Sequence, residues 1–104
     1  MFVMDVFRAL ADPTRRAVFE QLTRGEATVS TLVARFDVSQ PAISQHLSAL
    51  REASLVAQRR EGRNTYWRVE TKGLAPLVSW IEHYQGFWLD RLAKLKALME
   101  KLDD

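Results

Sequence analysis

Val29-Ser30-Thr31-Leu32-Val33-Ala34-Arg35-Phe36, then Asp37-Val38-Ser39, then Gln40-Pro41-Ala42-Ile43-Ser44-Gln45-His46-Leu47-Ser48-Ala49-Leu50 is the stretch that decides the fold. In its first part Val29, Leu32, Val33 and Phe36 keep the i, i+3, i+4, i+7 spacing of one helix face, with Thr28 as a plausible cap. In its last part Ile43, Leu47 and Leu50 line the inner face of a second helix. Ser39 caps that helix and Pro41 falls in its first turn, where a missing N–H costs nothing. Two short helices separated by three residues, the second opening on a cap, have the layout of a helix-turn-helix. Many such turns use Gly at a left-handed position. Here Asp37 takes that place, a conformation Asp tolerates better than most residues.

Towards the N-terminus, Val3, Val6, Phe7 and Leu10 form one helix face. Asp12 suits an N-cap and Pro13 the first helical position, so a second helix starts there. Val18, Phe19 and Leu22 are its buried stripe, and Arg24-Gly25 ends it.

Towards the C-terminus the period changes after Ala53-Ser54. Leu55-Val56-Ala57 leads into Arg59-Arg60-Glu61, then Gly62-Arg63-Asn64. Thr65-Tyr66-Trp67-Arg68-Val69 then alternates, with Thr65, Trp67 and Val69 on one side. Two strands around a turn containing Gly and Asn make a hairpin, a wing beside the two helices. Trp67 is expected in the core. From about Lys72 a helical period returns. Leu74, Val78, Ile81, Trp88, Leu92, Leu95, Met99 and Leu102 recur at alternating steps of four and three, with Gln85 interrupting. About 29 residues at ~1.5 Å each give a helix of ~43 Å. A compact domain of this size is roughly 34 Å across. The overhang must bury its stripe against something, and a second copy of the chain is the simplest candidate.

The expected fold class is therefore mainly α with a small β-hairpin: a winged helix-turn-helix of five helices with a long C-terminal dimerisation helix. The 104 residues fit a single domain. Within it, 28–53 is the helix-turn-helix, 55–70 the wing, and 1–11 and 72–104 the dimerisation helices.

Composition narrows the function. Hydrophobic residues make up 47% and charged residues 27%, with three Pro and four Gly, which is globular and leaves no linker or repeat. No apolar run approaches the ~18 residues of a membrane span. Met1-Phe2-Val3-Met4-Asp5 lacks the basic flank of a secretory signal. The absence of cysteine removes disulfides, thiolate metal sites and thiol switches. A cytoplasmic protein is expected. Only His46 and His83 are present, on two distant helices, and no nucleophile–base pair or metal triad is visible. No enzyme, metal or cofactor is expected.

The net charge of +2 is unevenly spread. Residues 1–70 carry ten Arg and no Lys against eight acids, whereas 71–104 are balanced. Arg59 to Arg68 hold four Arg against Glu61 alone. That is a footprint for a polyanion, although a scattered solvated surface accounts for the same numbers.

Gln40, Ser44 and Gln45 are the candidates for reading bases. On a helical wheel Gln45 falls nearly opposite Ile43, Leu47 and Leu50. Gln bonds adenine bidentately, and Ser bonds base edges or a phosphate. Ser39 and Gln40 sit at the helix N-terminus, which favours a phosphate. Arg59, Arg60, Arg63 and Asn64 belong to the wing, where guanidinium groups pair with phosphates or enter a narrow minor groove. The bland alternatives are a solvated helix face and a hairpin tip held in water by its charge. His46 lies beside the apolar stripe, and Arg51 either reaches a phosphate or pairs with Glu52 or another carboxylate. Both stay outside the set. Val3, Phe7, Ile81, Tyr84, Trp88, Leu92 and Leu95 are the expected dimer interface. Trp80, Tyr84, Phe87 and Trp88 form an aromatic belt that is either dimer core or the lining of a small-molecule inducer pocket.

Four pieces, in this order, resemble the ArsR-type (arsenical-repressor) family of winged helix-turn-helix transcriptional regulators. They are Asp12-Pro13-Thr14-Arg15-Arg16, Ser39 to Leu47, Leu50-Arg51-Glu52-Ala53-Ser54-Leu55-Val56, and Arg60-Glu61-Gly62-Arg63. The likeness runs over essentially the whole chain. It implies a homodimer, made by the first and last helices, that binds operator double-stranded DNA and represses transcription. The family's metal sensors place cysteines at the start of the third helix. Here that stretch, Glu26 to Leu32, has Thr28 and Ser30 where the thiolates stand, and hydroxyls are poor ligands for soft ions. The family's other metal site uses His and carboxylates on the last helix, where Glu82-His83 is alone. The chain resembles a cysteine-free branch of the family. A protein-interaction module that keeps the winged fold but ignores DNA is the competing reading, and the basic wing and polar reading face speak against it.

Overall fold

Three helices in this chain start where a capping side chain meets an otherwise unpaired backbone N–H. In the computed structural model, which describes residues 3–102, the order is α1 (Val3–Ala11), α2 (Pro13–Leu22), α3 (Val29–Phe36), α4 (Gln40–Glu52), β1 (Val56–Glu61), β2 (Asn64–Val69) and α5 (Ala75–Leu102). Of Val3 only the backbone is described, so the interface role expected for its side chain lies outside the described residues. The Asp12 carboxylate accepts from the N–H of Arg15 at 2.9 Å. Thr28 Oγ1 accepts from the N–H of Thr31 at 3.2 Å, and Ser39 Oγ from that of Ala42 at 3.2 Å. Caps of the Thr28 and Ser39 kind are worth about 1 kcal/mol each. Between α3 and α4, Asp37 is left-handed at φ 50, ψ 42, as the spacing required.

Val6, Val18, Leu32, Ile43, Leu47 and Leu50 are fully buried where the first four helices meet. Leu55, Val56 and Trp67 extend that core into the root of the hairpin. The hairpin is antiparallel, running in register from Val56 opposite Val69 to Glu61 opposite Asn64. On the other edge of β2, Ala27 exchanges two backbone hydrogen bonds with Trp67, Ala27 N–H to Trp67 O at 3.1 Å and Trp67 N–H to Ala27 O at 2.8 Å. The α2–α3 connection is thus pinned to the wing, a pairing no local pattern announced.

The last helix begins slightly later than the periodicity suggested. Thr71–Leu74 is a single 3-10 turn, and the regular helix opens at Ala75. The Gly73 N–H bonds the Ser54 carbonyl at 2.9 Å, and a Cβ on Gly73 would overlap the carbonyl oxygens of Ala53 and Ser54. This contact ties the entry to α5 to the end of α4. Leu74 and Leu77 pack against the core, while α5 itself contains no buried residue. The molecule measures 62 × 30 × 20 Å with a radius of gyration of 18.2 Å. A compact domain of this length has a radius of gyration of about 13 Å. Among the described residues, no helix is long and apolar enough to cross a membrane.

Candidate nucleic-acid interface

α4 owes its orientation to its buried face. With Ile43, Leu47 and Leu50 locked in the core, Ser39, Gln40, Ser44 and Gln45 are all exposed along the outer side. Ser48 is exposed as well and falls between Ser44 and Gln45 in angle, so it extends the same strip; the sequence reading passed over it. The Ser39 oxygen is committed to the Ala42 N–H, and its hydroxyl hydrogen is the part left to donate outward.

The wing presents Arg60, Arg63 and Asn64 to solvent, with Gly62 left-handed at φ 60 in the turn. Among the described residues neither Arg60 nor Arg63 enters an ion pair. Arg59 is different. Its Nε donates to Glu26 Oε2 at 2.9 Å, its Nη2 to Glu26 Oε1 at 3.1 Å, and its Nη1 to Glu61 Oε2 at 2.9 Å. The hydrogen bonds from Arg59 hold the Glu26 carboxyl below the ordinary carboxylate range, with the charges of Arg59 and Arg68 adding to the effect. The same contact with Glu26, then that with Glu61, pushes the Arg59 guanidinium above its ordinary value.

Among the described residues Arg51 pairs with no carboxylate. Its Nη1 donates to Gln58 Oε1 at 2.9 Å, and its guanidinium carbon lies 5.9 Å from the centre of the Trp67 ring. It ties the end of α4 to the wing root. His46 is half-buried, its Nδ1 accepting a long 3.4 Å bond from Arg15 Nε, so it packs at the core boundary. A cleft of about 280 Å³ beside α1 sets Arg8 and Arg15 against Asp5 and Glu52, and so has no net attraction for a polyanion. The sequence reading missed the Glu26–Arg59 and Arg51–Gln58 contacts. The first joins residues 33 positions apart, and neither belongs to a periodic pattern.

Apart from Val3, the residues expected at a dimer seam stand open on one chain. Phe7 meets Trp80 edge-on at 5.6 Å between ring centres, and Trp80 meets Tyr84 at 5.1 Å. Ile81, Tyr84, Trp88, Leu92 and Leu95 continue outward from this aromatic edge, Leu92 being 59% and Leu95 53% exposed.

Comparison with known proteins gives a consistent answer. A family described as a helix-turn-helix domain matches residues 10–59. The transcriptional repressor SdpR of Bacillus subtilis is 32% identical over 80 residues, covering 77% of this chain and 89% of the relative. The HTH-type transcriptional regulator Rv2034 of Mycobacterium tuberculosis is 37% identical over 98 residues, covering 94% of this chain and 89% of the relative. Among solved structures, an ArsR-like transcriptional regulator from Rhodococcus sp. RHA1 is similar at a TM-score of 0.73 and 34% identity, over 91% of this chain and 90% of that one.

Proposed function

The chain belongs to the ArsR-type family of winged helix-turn-helix, DNA-binding transcriptional regulators, and from that premise we propose that it acts as a homodimeric repressor on a two-fold symmetric operator. It is a regulator and not an enzyme, as are the proteins it matches. The division of labour we propose assigns 28–53 to reading, 55–70 to the wing, and 1–11 with 72–104 to dimerisation. Ser39, Gln40, Ser44 and Gln45 meet the duplex from α4, the two glutamines at base edges and Ser39 at a phosphate. Arg60, Arg63 and Asn64 meet the backbone or minor groove from the wing. The observation that carries this reading is a polar, solvent-facing strip on a helix whose other face is fully buried. Beside it stands a hairpin tip whose cations, Arg60 and Arg63, enter no ion pair among the described residues. The aromatic edge of Phe7, Trp80 and Tyr84 supports a place in the dimer seam better than in an inducer pocket, because its rings already pack on one another and run into the exposed stripe of α5. The cytoplasm is the compartment this function requires.

Gel-shift titration tests the contacts. Gln45→Ala relaxes base preference at one operator position by about 1–3 kcal/mol, while Arg63→Ala weakens all sequences alike. Footprinting is expected to show two half-sites about 10–10.5 base pairs apart. Unchanged affinity and preference in both variants, or protection of a single isolated half-site, overturns the reading.

A further inference from the structure

We propose that Arg59 is the positioning residue of the wing: its side chain spans β2 to lock onto Glu26, with Glu61 as a second anchor, and it sets the angle at which Arg60 and Arg63 meet DNA while touching no phosphate itself. The inference rests on the DNA-binding role of the wing given above and revises the place of one residue within it.

All three guanidinium nitrogens are already engaged. Two of them form the parallel fork to Glu26, the geometry in which Arg and a carboxylate fit best. The third holds Glu61 two residues along the same strand. On its way to Glu26 the guanidinium passes over Tyr66, the residue opposite Arg59 in the hairpin register, with its carbon 4.9 Å from the ring centre. The far anchor is not arbitrary. Glu26 adjoins Ala27, whose backbone is bonded twice to Trp67. The strap therefore ends where the wing is already pinned to the body of the domain.

A two-stranded ribbon is weakly held and twists more readily than a wider sheet. Small twists of the ribbon become displacements of Arg60 and Arg63 at its tip, so a tie at the Arg59–Tyr66 pair, just before Arg60, governs aim. Charge points the same way. Glu26 and Glu61 offset the Arg59 guanidinium, and with Arg68 also acting on Glu26 the cluster is close to neutral, with no surplus positive charge at Arg59 to draw a phosphate. Arg59 and Glu26 side chains are 42% and 38% exposed, and a pair so open contributes little to stability. The expected consequence lies in DNA binding rather than in folding.

The test compares Arg59→Gln, Glu26→Gln, their double variant and Arg63→Gln. The probe is a DNA fragment selected from a sheared genomic library by the unmodified protein, titrated across a range of salt. Arg59→Gln and Glu26→Gln each weaken binding several-fold and to the same degree, and the double variant is no weaker than either. In all three the slope of log K against log salt stays that of the unmodified protein. Arg63→Gln lowers that slope by about 0.9, the signature of one lost phosphate contact. Amide exchange at Ala27 and Trp67, measured without DNA, quickens in Arg59→Gln and Glu26→Gln alike and not in Arg63→Gln. A slope reduced in Arg59→Gln as it is in Arg63→Gln overturns the proposal, and so does tighter binding by Glu26→Gln, since Glu26 would then be withholding a phosphate-binding cation. Unchanged exchange at both amides overturns it too. Failure of the unmodified protein to bind any fragment sinks the DNA reading instead, and the exchange comparison still decides whether the strap exists.

Discussion

Asp12 and Ser39 cap their helices in the same way, but only Asp12 does so with a charge. The N–H of Arg15 is the main reason its carboxyl is held below the ordinary value, ahead of the attractions of His46 and Arg15 side chains, and desolvation opposes them. A carboxyl whose pKa is lower in the folded chain stabilises the fold fully above the unfolded value, about 3.9. That contribution fades as the pH falls through the folded value. Asp12→Asn keeps a capping oxygen and removes the charge. The stability gap between the two proteins should hold steady from pH 7 to about pH 5 and close at lower pH. Thermal melts across that range check it, and a gap that widens on acidification contradicts the assignment. Asp37 is bound by backbone geometry rather than charge. Its left-handed conformation at φ 50 is open to Asp but strained for a β-branched side chain. Asp37→Val should cost about 1–2 kcal/mol in urea unfolding. Both residues were legible in the sequence, because each sits between a periodic stripe and a helix start that local rules locate. Ser54, left-handed at φ 59, carried no such mark.

At the scale of elements, legibility followed the range of the interaction. The helices α1 to α4 announced themselves through spacing and caps that lie within a turn or two of each other, and the hairpin through alternation about Gly62. The contacts that orient the wing did not. Arg51 on Gln58 and Trp67, Arg59 on Glu26, and Ala27 on Trp67 join elements that meet only after folding. Residue type alone left Arg59 indistinguishable from Arg60 and Arg63. Two glycines show the same divide and give a paired prediction. Gly73 carries the close approach of the α5 entry to the carbonyls of Ala53 and Ser54, so Gly73→Ala forces backbone apart and should cost about 1–3 kcal/mol. Gly86 lies inside α5 with open space where a Cβ would stand, so Gly86→Ala should stabilise by about 0.5–1 kcal/mol through helix propensity. Denaturant titration of both variants reads the signs directly. A Gly73→Ala variant as stable as the unmodified protein, or more so, would mean that the entry to α5 is not pinned as described.

The whole molecule is a small body with a rod attached. The helix α5 is 28 residues long, hence about 42 Å, and the greatest dimension of the chain is 62 Å. Length arithmetic foretold the overhang, since a stripe that stays apolar beyond the body's edge has no partner within one chain. What lay beyond the sequence was how completely the rod is exposed, with no residue of α5 buried. From Val78 to Leu102 the stripe positions alternate by three and four with Gln85 alone polar, the period at which two helices can share a seam. Burying a leucine fully is worth about 1.5–3 kcal/mol, so a few such positions on each chain suffice to hold two copies together. Leu92→Glu with Leu95→Glu replaces two central positions by charges that the seam would have to desolvate. Sedimentation should then pass from a two-chain to a one-chain species at micromolar concentration. The change should leave the amide protection of Trp67 in place, since the core it occupies contains nothing from this part of α5. Binding to a paired half-site should fall towards that of a single half-site, because the second reading helix no longer arrives already tethered. Were the double variant to sediment as two chains and hold the paired site at full strength, the seam would have to lie on another face, and the exposed stripe of α5 would need a different occupant.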